Sequence, residues 1–124
     1  MIKDQQKIFG RIKDILKEYS NTFTATTDSD QGYELYTNKP MEMLGRKFPR
    51  MYFAAVKNQK NFVGFYYMPI YAHPEMLKSL TPELVKCLKG KTCFHIKKDD
   101  EVLYLQIKEA LDKGEKAYKE WGWI

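Results

Sequence analysis

Four carboxylates near the N-terminus have the residue type and spacing that could hold an iron ion. Asp14 and Glu18 lie one helical turn apart, and Asp28 and Asp30 follow in a turn-forming segment. Iron accepts carboxylate oxygen ligands, so these residues make iron delivery an alternative function. The segment from Lys3 to Glu18 nevertheless holds five basic and three acidic residues. That excess of positive charge favours an ordinary solvated helix face.

Two cysteines and two histidines form a second candidate set, for zinc or thiol chemistry. They are Cys87, Cys93, His73 and His95. On a strand, Cys93 and His95 would lie on the same face about 7 Å apart. Their spacing lacks the paired Cys-x-x-Cys pattern of structural zinc sites, and the sequence has neither a Gly-x-Ser-x-Gly motif nor a glycine-rich phosphate loop. We therefore expect free thiols, no catalytic residue, no cofactor and a protein that is not an enzyme.

Basic residues are concentrated in two parts of the chain, whose net charge is +5. Residues 38–60 contain six basic residues and one acidic residue, so the net charge of this segment alone equals that of the whole chain. A second basic run consists of Lys86, Lys89, Lys91, Lys97 and Lys98. Such clusters can mark an anionic partner, although basic runs on a solvated surface are the simpler interpretation.

The two clearest strands, predicted for Met51–Lys57 and Phe62–Met68, are apolar at odd and even positions alike. In a sheet with one buried face and one solvent-exposed face, apolar and polar residues should alternate along each strand. Either both faces are covered, or the open face is an aromatic platform. Large apolar patches usually mark binding or self-association, and tyrosine and arginine are favoured anchors. The predicted site for a protein partner or small ligand comprises Tyr36, Lys39, Arg46, Lys47, Arg50, Tyr52 and Tyr66.

Two further partners are alternatives for this surface. Tyrosines on a sheet could stack the bases of a single-stranded nucleic acid while lysines hold its phosphates. The sequence has no recognised RNA-binding signature, so nucleic acid is not the favoured partner. Self-association through the sheet would instead give a homodimer.

The elements that position these residues fit one domain over residues 1–124. The patterns predict an N-terminal helix, a sheet with one irregular connection, a short helix, a last strand and a C-terminal helix. The ranges are Lys3–Tyr19, Phe23–Thr27, Tyr33–Thr37, a loop over Lys39–Arg50, the two strands above, a helix from Thr81 to Gly90, Thr92–Lys97, and a final helix capped by Asp99 or Asp100. This order predicts an α+β two-layer sandwich, in which the N- and C-terminal helices pack on one face of an antiparallel sheet.

The N-terminus has no apolar core of a signal peptide, and the longest uncharged apolar stretch is Phe62–Ala72. That stretch is too short to cross a bilayer. We therefore expect a cytoplasmic protein without membrane contact.

Several of these segments resemble the YdhG-like domain family of mostly uncharacterised bacterial proteins. Met51–Asn58 and Phe62–Pro69 are similar to its central hairpin, and Gly90–Ile96 followed by an acidic cap is similar to its C-terminal part. Tyr36–Met41 stands where the family usually has a Tyr-Gly-Met-Pro-like turn, and retains the tyrosine and the proline. The resemblance implies a frataxin-like sandwich. Because some members are described as iron chaperones for iron–sulfur cluster assembly, it also implies iron as an alternative ligand.

Overall fold

The computed structural model describes residues 2–124, and within them the chain forms helices at both ends and seven strands between. In chain order the elements are α1 (Gln5–Lys17), β1 (Thr24–Asp28), β2 (Gly32–Tyr36), β3 (Met41–Met43), β4 (Arg46–Phe48), β5 (Tyr52–Asn58), β6 (Val63–Tyr67), α2 (Pro69–Ala72), a 3₁₀ helix (Pro74–Ser79), α3 (Pro82–Val85), β7 (Cys93–Ile96) and α4 (Glu101–Glu120).

The two long helices form because apolar residues recur on one side of each. In α1, Ile8, Ile12 and Leu16 are four residues apart and fully buried. In α4, the Asp100 carboxylate accepts a hydrogen bond of 2.9 Å from the backbone N–H of Val102. This is the N-cap predicted from the sequence, and it satisfies one of the free N–H groups at the start of the helix.

Five strands form one antiparallel sheet in the order β1-β2-β5-β6-β7, with α1 and α4 on the same face. The buried Tyr67 hydroxyl of β6 donates a hydrogen bond to the carbonyl oxygen of Ala110 in α4. The Tyr118 hydroxyl of α4 donates one to the carbonyl oxygen of Tyr52, at 2.6 Å. The predicted α+β class, with both terminal helices on one face of an antiparallel sheet, is confirmed.

A β-bulge at Phe53 explains why β5 is apolar at both parities. Leu35 pairs with Ala54 and Tyr36 pairs with Tyr52, so Phe53 has no partner on β2. Phe53 stacks on Phe23 beneath the helices, with ring centroids 3.9 Å apart. Phe53 and Ala54 therefore both face the helices, and Tyr52 faces the opposite side of the sheet.

Two sequence predictions of local structure were wrong. Residues 39–50, predicted as a loop, contain the paired strands β3 and β4, joined at Leu44 and Gly45. We call residues 39–50 the basic hairpin. The helix predicted from Thr81 to Gly90 ends at Val85, and the Thr81 hydroxyl makes no capping hydrogen bond. It ends early because residues 87–89 turn back and pair with residues 93–95.

A helix that crosses a bilayer needs about 20 predominantly apolar residues. Within residues 2–124, every helix is too short or too polar to cross a membrane.

Candidate partner-binding face

The sheet has an open face, which is the side turned away from α1 and α4. Residues that pair directly across antiparallel strands share a face, so the pairings fix its members. Glu34 pairs with Ala55, Ala55 pairs with Tyr66, and Tyr66 pairs with Cys93. The open face is defined by the side chains of Thr24, Thr27, Glu34, Tyr36, Tyr52, Ala55, Lys57, Tyr66, Cys93 and His95.

Three half-buried tyrosines dominate this face. The rings of Tyr36 and Tyr52 lie with centroids 5.2 Å apart, tilted by 39°. Tyr66 lies over Gly64, where an added Cβ would come within 2.8 Å of the tyrosine ring. Ala55 between them is fully buried although no helix covers it. The tyrosines themselves therefore cover the centre of the sheet, and their outer parts form a continuous aromatic surface.

Cations lie over two of the three rings. The Arg50 guanidinium carbon is 5.1 Å from the centroid of Tyr36, and the Lys57 ammonium is 5.2 Å from that of Tyr66. These separations allow cation–π attraction. Within residues 2–124, Arg50 has no carboxylate within 4.0 Å. The open face consequently presents one unpaired positive charge beside its aromatic surface.

Glu34 is the acidic residue of this face, and its charge is already engaged. Its carboxylate lies 3.1 Å from the Lys57 ammonium and accepts a 2.9 Å hydrogen bond from the Thr27 hydroxyl. Burial alone would raise the pKa of Glu34, but the Thr27 and Lys57 contacts lower it below its usual 4.5. The carboxylate therefore stays ionised at neutral pH and fixes the position of Lys57.

Replacing Glu34 with glutamine is expected to lower stability by roughly 0.5 kcal/mol at pH 7, in the range for partly exposed ion pairs. Because the folded pKa is depressed, this contribution is complete above about pH 4.5 and disappears as the pH falls through the folded pKa. Urea unfolding of both proteins at pH 7 and pH 2.5 measures the difference. Glu109→Gln, at an exposed position, is the charge-matched control. A Glu34→Gln deficit that is unchanged at pH 2.5 would contradict this assignment.

The structure brings together four of the seven residues predicted for partner binding: Tyr36, Arg50, Tyr52 and Tyr66. The other three, Lys39, Arg46 and Lys47, lie on the basic hairpin. Lys39 lines a pocket of about 400 Å³ together with residues of α4, and Arg46 lies over the ring of Phe48, 5.8 Å from its centroid. None of these three belongs to the open face.

Leu44, at the tip of the basic hairpin, was missed as a candidate. Its side chain is 78% exposed, and its backbone adopts φ of 53°. Positive φ is unfavourable for a branched side chain. Because the Leu44 side chain is exposed, no burial of apolar surface offsets this cost. The pair Leu44-Gly45 in the sequence is the only signal that could have suggested a two-residue turn here, since such turns require positive φ.

The carboxylates predicted as iron ligands are not gathered. Asp28 pairs with Lys13 at 2.8 Å and Glu18 lies 3.4 Å from Lys108, while Asp14 and Asp30 are exposed. In the part of the chain that the structure describes, no three acidic, cysteine or histidine side chains are placed to share a metal ion. The iron alternative has no assembled ligand set and stays a prediction.

The cysteines are free thiols and occupy different surroundings. Cys93 lies on the open face beside Tyr66. Cys87 lies on the turned-back segment and shares a pocket with His95 and four lysines. His73 is elsewhere, stacked on Trp121 with centroids 3.8 Å apart. The four residues considered for zinc therefore do not form one site.

Comparison with protein-family models, with curated proteins and with solved structures found no match to this chain. The resemblance to the YdhG-like family consequently stays a prediction.

Proposed function

We propose that this protein is a non-enzymatic binding module that docks an acidic segment of a partner protein on the open face. The observation that carries the proposal is the pairing of half-exposed tyrosines with cations held over their rings. Tyrosine and arginine are the residue types that most often dominate the energetics of protein interfaces. On the open face, the residues of these types that would contact the partner are Tyr36, Tyr66 and Arg50.

The positive charge of this region favours an acidic partner. Among the residues that the structure describes, Arg50 has no carboxylate partner. The basic hairpin adds Lys39, Arg46 and Lys47 against Glu42 alone. A second copy of this chain would bring the same positive charge to the interface, and like charges facing one another are unfavourable. A segment with aspartate or glutamate around an apolar anchor complements both the cations and the aromatic surface.

The same geometry makes base stacking the weaker alternative. A base needs an open aromatic face, but Lys57 lies over Tyr66 and Arg50 over Tyr36. Phe62 is stacked on His95 with centroids 3.6 Å apart. Nucleic acid would have to displace these groups, whereas a carboxylate would bind to the cations in place.

Selection from a random peptide library against the immobilised protein tests the proposal. The enriched peptides are expected to combine acidic residues with an aromatic residue or leucine. Tyr36→Ser and Arg50→Glu should each weaken binding of the selected peptide at least tenfold, as expected for interface anchors. The matched controls are Tyr71→Ser and Lys91→Glu, because Lys91 lies 5.6 Å from the centroid of Tyr71 in the same kind of contact, but off the open face. Both controls should bind within twofold of the wild type.

Three outcomes would overturn the proposal. Peptides that bind the face variants and the controls equally would place binding elsewhere. Enrichment of neutral or basic peptides, or no enrichment at all, would exclude an acidic docking segment. Failure of peptides together with salt-sensitive binding of an oligo(dT) probe would favour nucleic acid instead.

A further inference from the structure

Four lysines surround a pocket of about 360 Å³ at the edge of the sheet that carries β7. We call it the lysine pocket. Lys86 follows α3, Lys89 lies in the turned-back segment, and Lys97 and Lys98 follow β7. The remaining lining residues are Glu83, Cys87, His95, Asp100 and Leu103.

A short hairpin assembles this pocket from two separate parts of the basic sequence. The backbone N–H of Lys89 donates to the Cys93 carbonyl and that of His95 donates to the Cys87 carbonyl, both at 2.8 Å. Gly90 in the connecting turn has φ of 94°, a conformation that glycine adopts without strain. The hairpin therefore brings Lys86 and Lys89, which precede the turn, and Lys97 and Lys98, which follow it, to the same pocket.

The charges of the lysine pocket are unbalanced. Within residues 2–124, none of its four lysines has a carboxylate within 4.0 Å. Of its two acidic residues, Asp100 is engaged as the N-cap of α4. The four lysines and two acidic residues that line the pocket leave a net charge of +2, which favours an anionic ligand.

Leu103 and the His95 ring line the pocket alongside the lysines. Leu103 is buried, and the His95 ring is stacked on the ring of Phe62, with centroids 3.6 Å apart. Burial lowers the pKa of His95, and the charges of Lys97 and Lys89 lower it further. The imidazole is therefore neutral at pH 7 and adds a polar group without adding charge.

We propose that the lysine pocket binds a phosphorylated small molecule, whose phosphate groups contact its lysines and whose remaining atoms lie against Leu103 and His95. Lysine is a standard phosphate ligand as a flexible point charge, and the volume falls in the range of small-ligand pockets. The lysine pocket shares only His95 with the open face, and the proposal does not depend on the docking of a partner there.

The two histidines of the chain provide an internal test. The probe is sodium pyrophosphate, added to the full-length protein at pH 7 while sodium chloride keeps the ionic strength constant. Ring resonances of His95 in NMR spectra are expected to shift and saturate at millimolar pyrophosphate or below. Those of His73, which lies against Trp121 and Glu75, should stay unchanged.

Paired variants separate a specific site from general attraction to a basic protein. Lys89→Gln combined with Lys97→Gln should weaken pyrophosphate binding at least tenfold. Lys3→Gln combined with Lys116→Gln removes the same charge at exposed positions outside the lysine pocket, and should change binding less than twofold.

Each contrary result overturns the proposal. A linear shift without saturation, or equal movement of both histidines, would mean non-specific ion attraction. Equal losses in the two double variants would mean the same. Tighter binding of citrate than of pyrophosphate at equal ionic strength would exclude phosphate as the preferred group. Melting temperatures of the two double variants, compared with that of the wild type, distinguish a loss of binding from a loss of folding.

Discussion

Replacing Phe53 with alanine is expected to lower the free energy of unfolding by about 3–5 kcal/mol, the usual cost of deleting a large buried ring. Phe53 is fully buried, stacks on Phe23 at 3.9 Å and meets the ring of Tyr118 at 5.2 Å. Each aromatic pair contributes about 0.5–1.5 kcal/mol beyond burial of area. The carbonyl oxygen of Phe53 accepts a 3.0 Å hydrogen bond from the backbone N–H of Met68, which holds this part of β5 in place and limits closure of the cavity.

Urea unfolding followed by circular dichroism measures this loss. Phe62→Ala is the matched control, because Phe62 is also stacked on a ring but is only half-buried. We expect the control to cost less than about 1.5 kcal/mol, since little apolar surface returns to water. Equal losses for the two variants would show that Phe53 is not the centre of the core.

Replacing Gly114 with alanine is expected to destabilise the protein by about 1–2 kcal/mol, although alanine is the better helix former. An added Cβ would lie 2.7 Å from the Tyr67 hydroxyl oxygen and 3.0 Å from Cγ of Pro69. Tyr67 cannot move away, because its ring is fully buried and its hydroxyl bonds to Ala110. Because Tyr67 is immobile, we expect the upper part of the roughly 1–3 kcal/mol that overpacking usually costs, and the roughly 1 kcal/mol gained in helix propensity offsets only part of it.

Gly10→Ala is the control for this prediction and should have the opposite sign. Gly10 also lies within a long helix, but no atom comes within 4 Å of its added Cβ. We expect a gain of about 0.5–1 kcal/mol from helix propensity alone. Tyr67→Phe should recover part of the Gly114→Ala loss, because it removes the atom nearest the new Cβ. Stabilisation by both alanine variants, measured by urea unfolding, would contradict the contact.

Helical spacing and capping residues predicted most of the architecture. The helix predicted for residues 3–19 is present as α1 and buries Ile8, Ile12 and Leu16 along one side, and Asp100 caps α4. These features depend only on neighbours in the sequence, which is why composition and spacing reveal them. The basic hairpin was missed because Pro40 and Pro49 are typical of loops, whereas here they flank two strands of only three residues each.

The side chains that make up the open face could not be predicted from the sequence. Its three tyrosines were among the residues predicted for partner binding, but the alternation that would have separated Tyr52 from Phe53 is interrupted by the bulge. A bulge depends on the pairing of β5 with β2 and not on β5 alone. The lysine pocket could not be predicted for the same reason, because Lys86 and Lys97 come to line one pocket only through the pairing of residues 87–89 with residues 93–95.

The two edges of the sheet restrict the form that a bound partner can take. At one edge, β1 is fully exposed but interrupted by a register shift at Thr26, and such irregularity discourages another chain from extending a sheet. At the other edge, Leu88 already pairs with Phe94 and occupies part of β7. Recognition by strand addition is therefore disfavoured at both ends, and side chains rather than backbone hydrogen bonds must supply the specificity. A helix or an irregular segment could then serve as the partner as readily as an extended one.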